Sequence, residues 1–189
     1  MDDRLTSEEK MILLQLARQA LEDAVKGKAL APVDDERLSP RLRQPGASFV
    51  TLTLGGDLRG CIGALEPFQS LVEDVREHAM AAGLQDFRFP PVQPEELAHI
   101  SIEVSRLTMP EELPYDSADD LLSKLRPHVD GVILRDGFHR ATFLPQVWEK
   151  IPEPAVFLSH LCQKMGAPAD LWRYKKLRVQ IYQVEEFHE

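Results

Sequence analysis

The sequence predicts an α+β fold, a mainly antiparallel sheet flanked by helices. Three observations carry it. Hydrophobic periodicity reads α-ββ-α-β-α-ββ-α-β, an order that mixes hairpins with helices rather than alternating strand and helix as a doubly wound sheet does. Two short β-rich pairs are joined by turn sequences, Gly55-Gly56-Asp57 and Arg135-Asp136-Gly137, and hairpins make antiparallel neighbours. The 189 residues are 43% hydrophobic and 28% charged, a balance that fills a globular core and excludes disordered, fibrous and collagen-like chains.

The elements follow in order. Residues 6–27 read as an amphipathic helix. Thr6-Ser7-Glu8-Glu9 fits a capping box, Leu13, Leu16, Ala17, Ala20, Leu21 and Ala24 recur at helical spacing, and Gly27 is the stop. Residues 28–46 carry Pro32, Pro40, Pro45 and Gly46 and read as a loop or an ordered strap. Residues 48–54 alternate at period two, and 58–62 form the second strand of the hairpin. Leu71, Val72, Val75, Ala79 and Ala82 mark a helix over 69–83 ending at Gly83. A loop, Asp86 to Pro91, and an alternating strand, Ile100 to Val104, come next.

After a break at Pro110–Pro114, a short helix is expected near Ser117–Leu125, then strands at 132–134 and 139–144. Phe157, Leu158, Leu161 and Met165 stripe a helix over 155–165 closed by Gly166. The last strand is expected at 177–181.

Charge narrows the function classes. Lys+Arg 22 against Asp+Glu 31 leaves −9, a field that disfavours non-specific binding to nucleic acid or an anionic membrane. No run of about 18 apolar residues exists, so no spanning helix is expected. The opening Met1-Asp2-Asp3-Arg4 lacks a signal-peptide pattern, and a cytoplasmic location is expected. In that reducing setting Cys61 and Cys162 read as free thiols.

The most unusual stretch is Gly55 to Leu65 (GGDLRGCIGAL). On a strand, Arg59 and Cys61 project from one face, and Leu58 and Ile62 from the other. Glycine weakens a strand unless something approaches the backbone or the chain bends, so Gly60 and Gly63 suggest an open backbone beside a thiol and a guanidinium. A neighbouring Arg favours thiolate, the reactive form. The bland alternative is a buried cysteine with glycines serving a bulge.

Other signals are weaker. Gly55 and Gly60 have phosphate-loop spacing, but Cys61-Ile62 stands where Lys and Ser/Thr are required. No Cys-x-x-Cys exists, the six histidines fall at no metal-ligand spacing, and no cofactor fingerprint occurs, so neither metal nor cofactor is expected. His160, beside the apolar stripe of its helix, is either a base that reaches Cys61 or a helix-flank residue. Cys162 reads as core. Arg173-Tyr174-Lys175-Lys176-Leu177-Arg178 is a basic cluster best read as a solvated loop entering a strand. Glu111, Glu112, Asp116, Asp119 and Asp120 read as a solvated acidic surface plus a helix N-terminus.

The run Leu58-Arg59-Gly60-Cys61-Ile62-Gly63 resembles the signature of the AMMECR domain family, whose bacterial and archaeal members are called AmmeMemoRadiSam system protein A. Supporting matches are Phe49 to Leu52, then Asp86, Arg88, Phe89 and Pro90, then Leu144-Pro145-Gln146-Val147, and Phe157-Leu158 with Leu161 and Cys162. The resemblance implies one AMMECR-like domain over 1–189. It has two unequal lobes, the smaller built from an interior segment and the larger holding both termini. It places the signature near the groove between them, where Arg88 and Gln146 join Arg59, Gly60 and Gly63 as ligand-binding candidates. The system name implies partners: a Memo-like protein and a radical S-adenosylmethionine protein.

Three functions follow as expectations. The first is an accessory component that binds a partner, or a small-molecule ligand in the groove. The second is an enzyme with Cys61 as nucleophile on a small anionic or carbonyl substrate. Arg59 would bind an anion or lower the thiol pKa, and the Gly60 and Gly63 amides would act as oxyanion donors. The third, a nucleic-acid-binding regulator, is disfavoured by charge. The absence of an evident base, metal site or cofactor motif ranks the first ahead.

Overall fold

A computed structural model of the chain describes residues 4–33 and 38–189. The opening Met1–Asp3 and residues 34–37 of the expected strap lie outside them. The chain divides into two compact units, Met1–Thr108 with Glu185–Glu189, and Met109–Val184.

The first unit opens with α1 (Ser7–Val25). Its capping box is complete: the Thr6 side chain accepts from the Glu9 amide, and the Glu9 carboxylate accepts from the Thr6 amide. Gly27 follows the helix at φ +67°, a backbone that glycine adopts without strain. Within the expected strap a short helix forms, α2 (Pro40–Arg43), capped by the Ser39 hydroxyl with Pro40 in its first turn. Buried Leu38 and Leu42 pin this segment to the core.

Then come β1 (Pro45–Leu54), β2 (Asp57–Gly63), the two-residue β3 (Gln69–Ser70), α3 (Leu71–Leu84) and β4 (Ile100–Leu107). Strand β9 (Val184–His188) returns from the chain end, giving the order β2-β1-β4-β9 with β3 beside β1. The hairpin turn Gly55-Gly56 has φ +60° and +91°, a two-residue turn of the kind that matches strand twist. Val50, Leu52, Ile102 and Val104 face α1 and α3 and are fully buried with Leu13, Leu21 and Val75. Each such side chain contributes about 1.5–3 kcal/mol of transfer free energy.

Helix α3 does not stop at Gly83. A Cβ there would lie 2.4 Å from Leu21 Cδ1, so this glycine lets α1 approach α3 instead of breaking the helix.

The second unit holds β5 (Glu111–Glu112), α4 (Ala118–Lys124), β6 (Gly131–Asp136), β7 (His139–Phe143), α5 (Pro154–Lys164), α6 (Leu171–Tyr174) and β8 (Arg178–Tyr182). Its antiparallel sheet runs β5-β8-β6-β7. Gly137, at φ +59°, makes the expected turn. Val132, Leu134, Ala141 and Val179 share one face with a core of Trp148, Phe157, Trp172, Leu158 and Leu161. Trp148 stacks on Phe157 at 3.7 Å and donates its indole N–H to Asp130 O at 2.7 Å. Cys162 is fully buried in this core, and burial pushes its thiol pKa up.

The α+β class and every expected helix and strand are present, with ends displaced by a few residues. Strands β3, β5 and β9 and helices α2 and α6 were beyond the periodicity signal, being two to five residues long or of weak alternation.

Candidate functional site

β2 lies at the edge of its sheet, and its register decides what it presents. Leu52 faces Gly60, but Thr53 faces Leu58, so Arg59 is the extra residue of a β-bulge. Strict alternation ends there. Leu58 shares the Thr53 side with Cys61, which faces Thr51, rather than the Ile62 side that the spacing suggested. Arg59 instead reaches Glu96, donating from Nε at 2.7 Å and Nη2 at 3.0 Å. Arg59 chiefly, with the Gln93 amide that Glu96 also accepts from, holds the Glu96 pKa below the ordinary carboxylate range.

Cys61 is half-buried, its Sγ 3.4 Å from Thr51 Oγ1. The Ala64 amide bonds Ser48 O on the same ladder, so the Thr51–Cys61 pair is a non-bonded one and the Cys61 N–H and C=O turn outward from the sheet. Both are met. Asp86 Oδ2 accepts from the Cys61 amide at 2.9 Å, and Arg88 Nη2 donates to Cys61 O at 3.2 Å.

Asp86 and Arg88 are also bonded to each other. The guanidinium donates from Nε to Oδ1 at 2.9 Å and from Nη2 to Oδ2 at 2.6 Å, and the Arg88 amide adds a bond to Oδ1 at 3.1 Å. A buried carboxylate holding this many donors stays ionised. Arg88, chiefly, with the Cys61 and Arg88 amides, drives the Asp86 pKa far below the ordinary range despite burial. Two side chains thus stand in for a neighbouring strand and occupy the sheet edge.

Between them, Phe87 is 95% exposed. Phe68, after β2, is 81% exposed. An aromatic this exposed, flanked by two residues tied to a strand, is held outward by construction.

The signature glycines serve packing. A Cβ on Gly60 would fall 2.1 Å from Ala82 O, and on Gly63 it would meet the Phe49 ring at 2.4 Å. The glycines let α3 and a neighbouring ring approach β2.

Among the sequence candidates, the structure brings Cys61 and Arg88 together and gives Arg59 to Glu96. Gln146, in the 3-10 turn Pro145–Glu149, and His160, exposed on α5, belong to the second unit. Asp86 and Glu96 are the residues that sequence reasoning missed as organisers. The available signal was Asp-x-Arg, a spacing that closes an acid–guanidinium fork on one loop.

The basic cluster is fully engaged. Arg173 stacks on Trp172, Lys175 bonds Asp136, Lys176 sits over the Tyr115 ring and Arg178 bonds Glu112. Among the described residues no group of three His, Cys, Asp or Glu could hold a metal ion. No described helix is long and apolar enough to cross a membrane.

These features define an α+β protein whose glycine-rich edge strand is sealed by an acid–arginine fork. The chain belongs to the AMMECR1 family, whose model matches residues 14–187. It is similar to a protein of Methanothermobacter thermautotrophicus, 41% identical over 188 residues that make up 98% of this chain and 96% of that one. A protein of Thermofilum pendens is 37% identical over 98% of this chain and 92% of its own. The crystal structure of an uncharacterized protein from Pyrococcus horikoshii superposes with a TM-score of 0.75 at 34% identity, covering 98% of this chain and 93% of that one.

Proposed function

We propose that this AMMECR1-family chain is a cytoplasmic accessory component that binds a partner protein through Phe87, on the loop that seals the β2 edge, and that its partner is a Memo-like protein acting with a radical S-adenosylmethionine protein. The observation that supports this is Phe87, 95% exposed between Asp86 and Arg88, which are both bonded to the Cys61 backbone. A large apolar side chain whose backbone is already fixed loses little entropy on docking, which is the property of an interface anchor. The test is calorimetry of the purified chain with the Memo-like protein. Saturable binding is expected, weakened at least tenfold by Phe87→Ala. No association at about 100 μM of each, a level that detects even weak complexes, would remove the reading.

A second reading, Cys61 as a nucleophile, is favoured by one observation: the residue is half-buried rather than sealed, with the Arg88 guanidinium bonded to its carbonyl. Iodoacetamide labelling of Cys61 faster than free cysteine at pH 7 is its expected signature. A folded Cys61→Ala chain that keeps pathway activity would dismiss it. The nucleic-acid reading has no such support: the chain carries a net charge of −9, a field that opposes a polyanion.

A further inference from the structure

The second unit carries an arrangement that neither reading uses. On β6, Arg135 faces Arg140 of β7 on one side and Arg178 of β8 on the other. Leu134, Ala141 and Val179, one position along, point into the core of the unit. The three arginines therefore project from the face turned away from α5, in a single row across three adjacent strands. Directly opposed residues in a sheet have Cβ atoms about 5 Å apart, and like charges so placed destabilise the sheet.

The row is under-neutralised at its centre. Glu112 of β5 accepts from Arg178 Nε at 2.7 Å, and the same carboxylate is held below its ordinary pKa chiefly by Arg178 and, less, by Arg135. One carboxylate thus serves two guanidinia. Arg135 Nε is out of reach of solvent and makes no hydrogen bond. A buried guanidinium N–H without an acceptor is destabilising, so the row is not explained by the stability of the sheet. Thr142 and Gln180 flank it, both opposite Ile133.

We propose that Arg135, Arg140 and Arg178 form a binding platform for a small phosphate-bearing molecule. Planar guanidinia offer paired N–H donors that match phosphate oxygens two at a time, and a row of guanidinia on adjacent strands suits the two anionic groups of a diphosphate better than a single phosphate. A bound anion relieves the repulsion along the row and gives Arg135 Nε an acceptor. The inference stands apart from the docking reading, since it concerns other residues in the other unit.

Pyrophosphate and inorganic phosphate, titrated into the full chain at constant ionic strength with chloride as control, test it. Pyrophosphate should bind saturably, at least tenfold tighter than phosphate, and should shift the Arg135 Nε–H resonance. Arg135→Gln should weaken pyrophosphate at least tenfold while leaving the unliganded chain at least as stable as the wild type, because it removes repulsion. Arg178→Gln should weaken it less, as Glu112 already engages that side chain. Absence of saturable binding to the wild type overturns the proposal whatever the variants do. So does binding that Arg135→Gln and Arg178→Gln both leave unchanged, which would locate the anion elsewhere.

Discussion

The two units solve the same problem with different materials. Each lays helices on one face of an antiparallel sheet. The core of the first is aliphatic, with Leu, Val, Ile and Ala throughout and Phe187 as its aromatic member, and glycines bring backbone against backbone. The core of the second is built around Trp148, Phe157 and Trp172. A core filled by small residues at close approach is sensitive to added atoms, and one filled by large rings is sensitive to lost atoms. The signature run belongs to the first kind. Its glycines are where a helix and a ring come within contact of the strand, so much of its identity reflects packing.

Substitutions can break this contrast. The largest loss is expected from Trp148→Ala, about 3–5 kcal/mol in urea unfolding, because it empties the stack on Phe157 and orphans Asp130 O. Gly60→Ala should cost about 3 kcal/mol or prevent folding, since the new methyl meets a backbone oxygen that cannot turn away. Wild-type stability of this variant would refute the close-approach argument. Gly131→Ala sharpens it. There a Cβ meets the Tyr182 ring at 2.4 Å, a side chain rather than backbone but one that is buried and bonded through its hydroxyl to Phe143 O, so the loss should be only slightly smaller, about 2 kcal/mol.

Asp86→Asn should cost about 2 kcal/mol by weakening the bonds to Arg88 and the Cys61 amide. It should also change the pH profile. Because the folded pKa of Asp86 lies below its unfolded value, its contribution is complete above about pH 5 and fades as the pH falls through 4 toward the folded value. The wild type should therefore lose stability over that range more steeply than Asp86→Asn. Parallel profiles would contradict the assignment. The smallest effect belongs to Phe87→Ala, within about 0.5 kcal/mol, since the ring is exposed. A large loss there would mean that Phe87 serves the fold rather than a partner.

Local signals were legible because their causes are local. The Thr6–Glu9 box, the Gly55-Gly56 turn and Gly137 each concern residues within a few positions. The site was legible only as a composition. Cys61 and Arg59 were found, but the Arg59 guanidinium is bonded to Glu96 and the strict alternation around it is broken, because a bulge depends on how two strands pair. Gly83 lies in the last turn of α3, one residue before its end, and serves a helix crossing rather than a cap. A glycine at a helix end and one at a helix crossing look alike until the crossing helix is known.

The sequence by itself determined the fold class, most elements, their caps and turns, and the family, since each rests on short-range periodicity or an ordered set of residues. Only the tertiary structure decided which edge of the sheet is open, that Asp86, 25 positions along, closes it at Cys61, and that three arginines from three strands align. The physical reason is that a hydrogen bond between distant positions leaves no periodic trace. It exists only once packing has fixed which polar groups point outward without a partner.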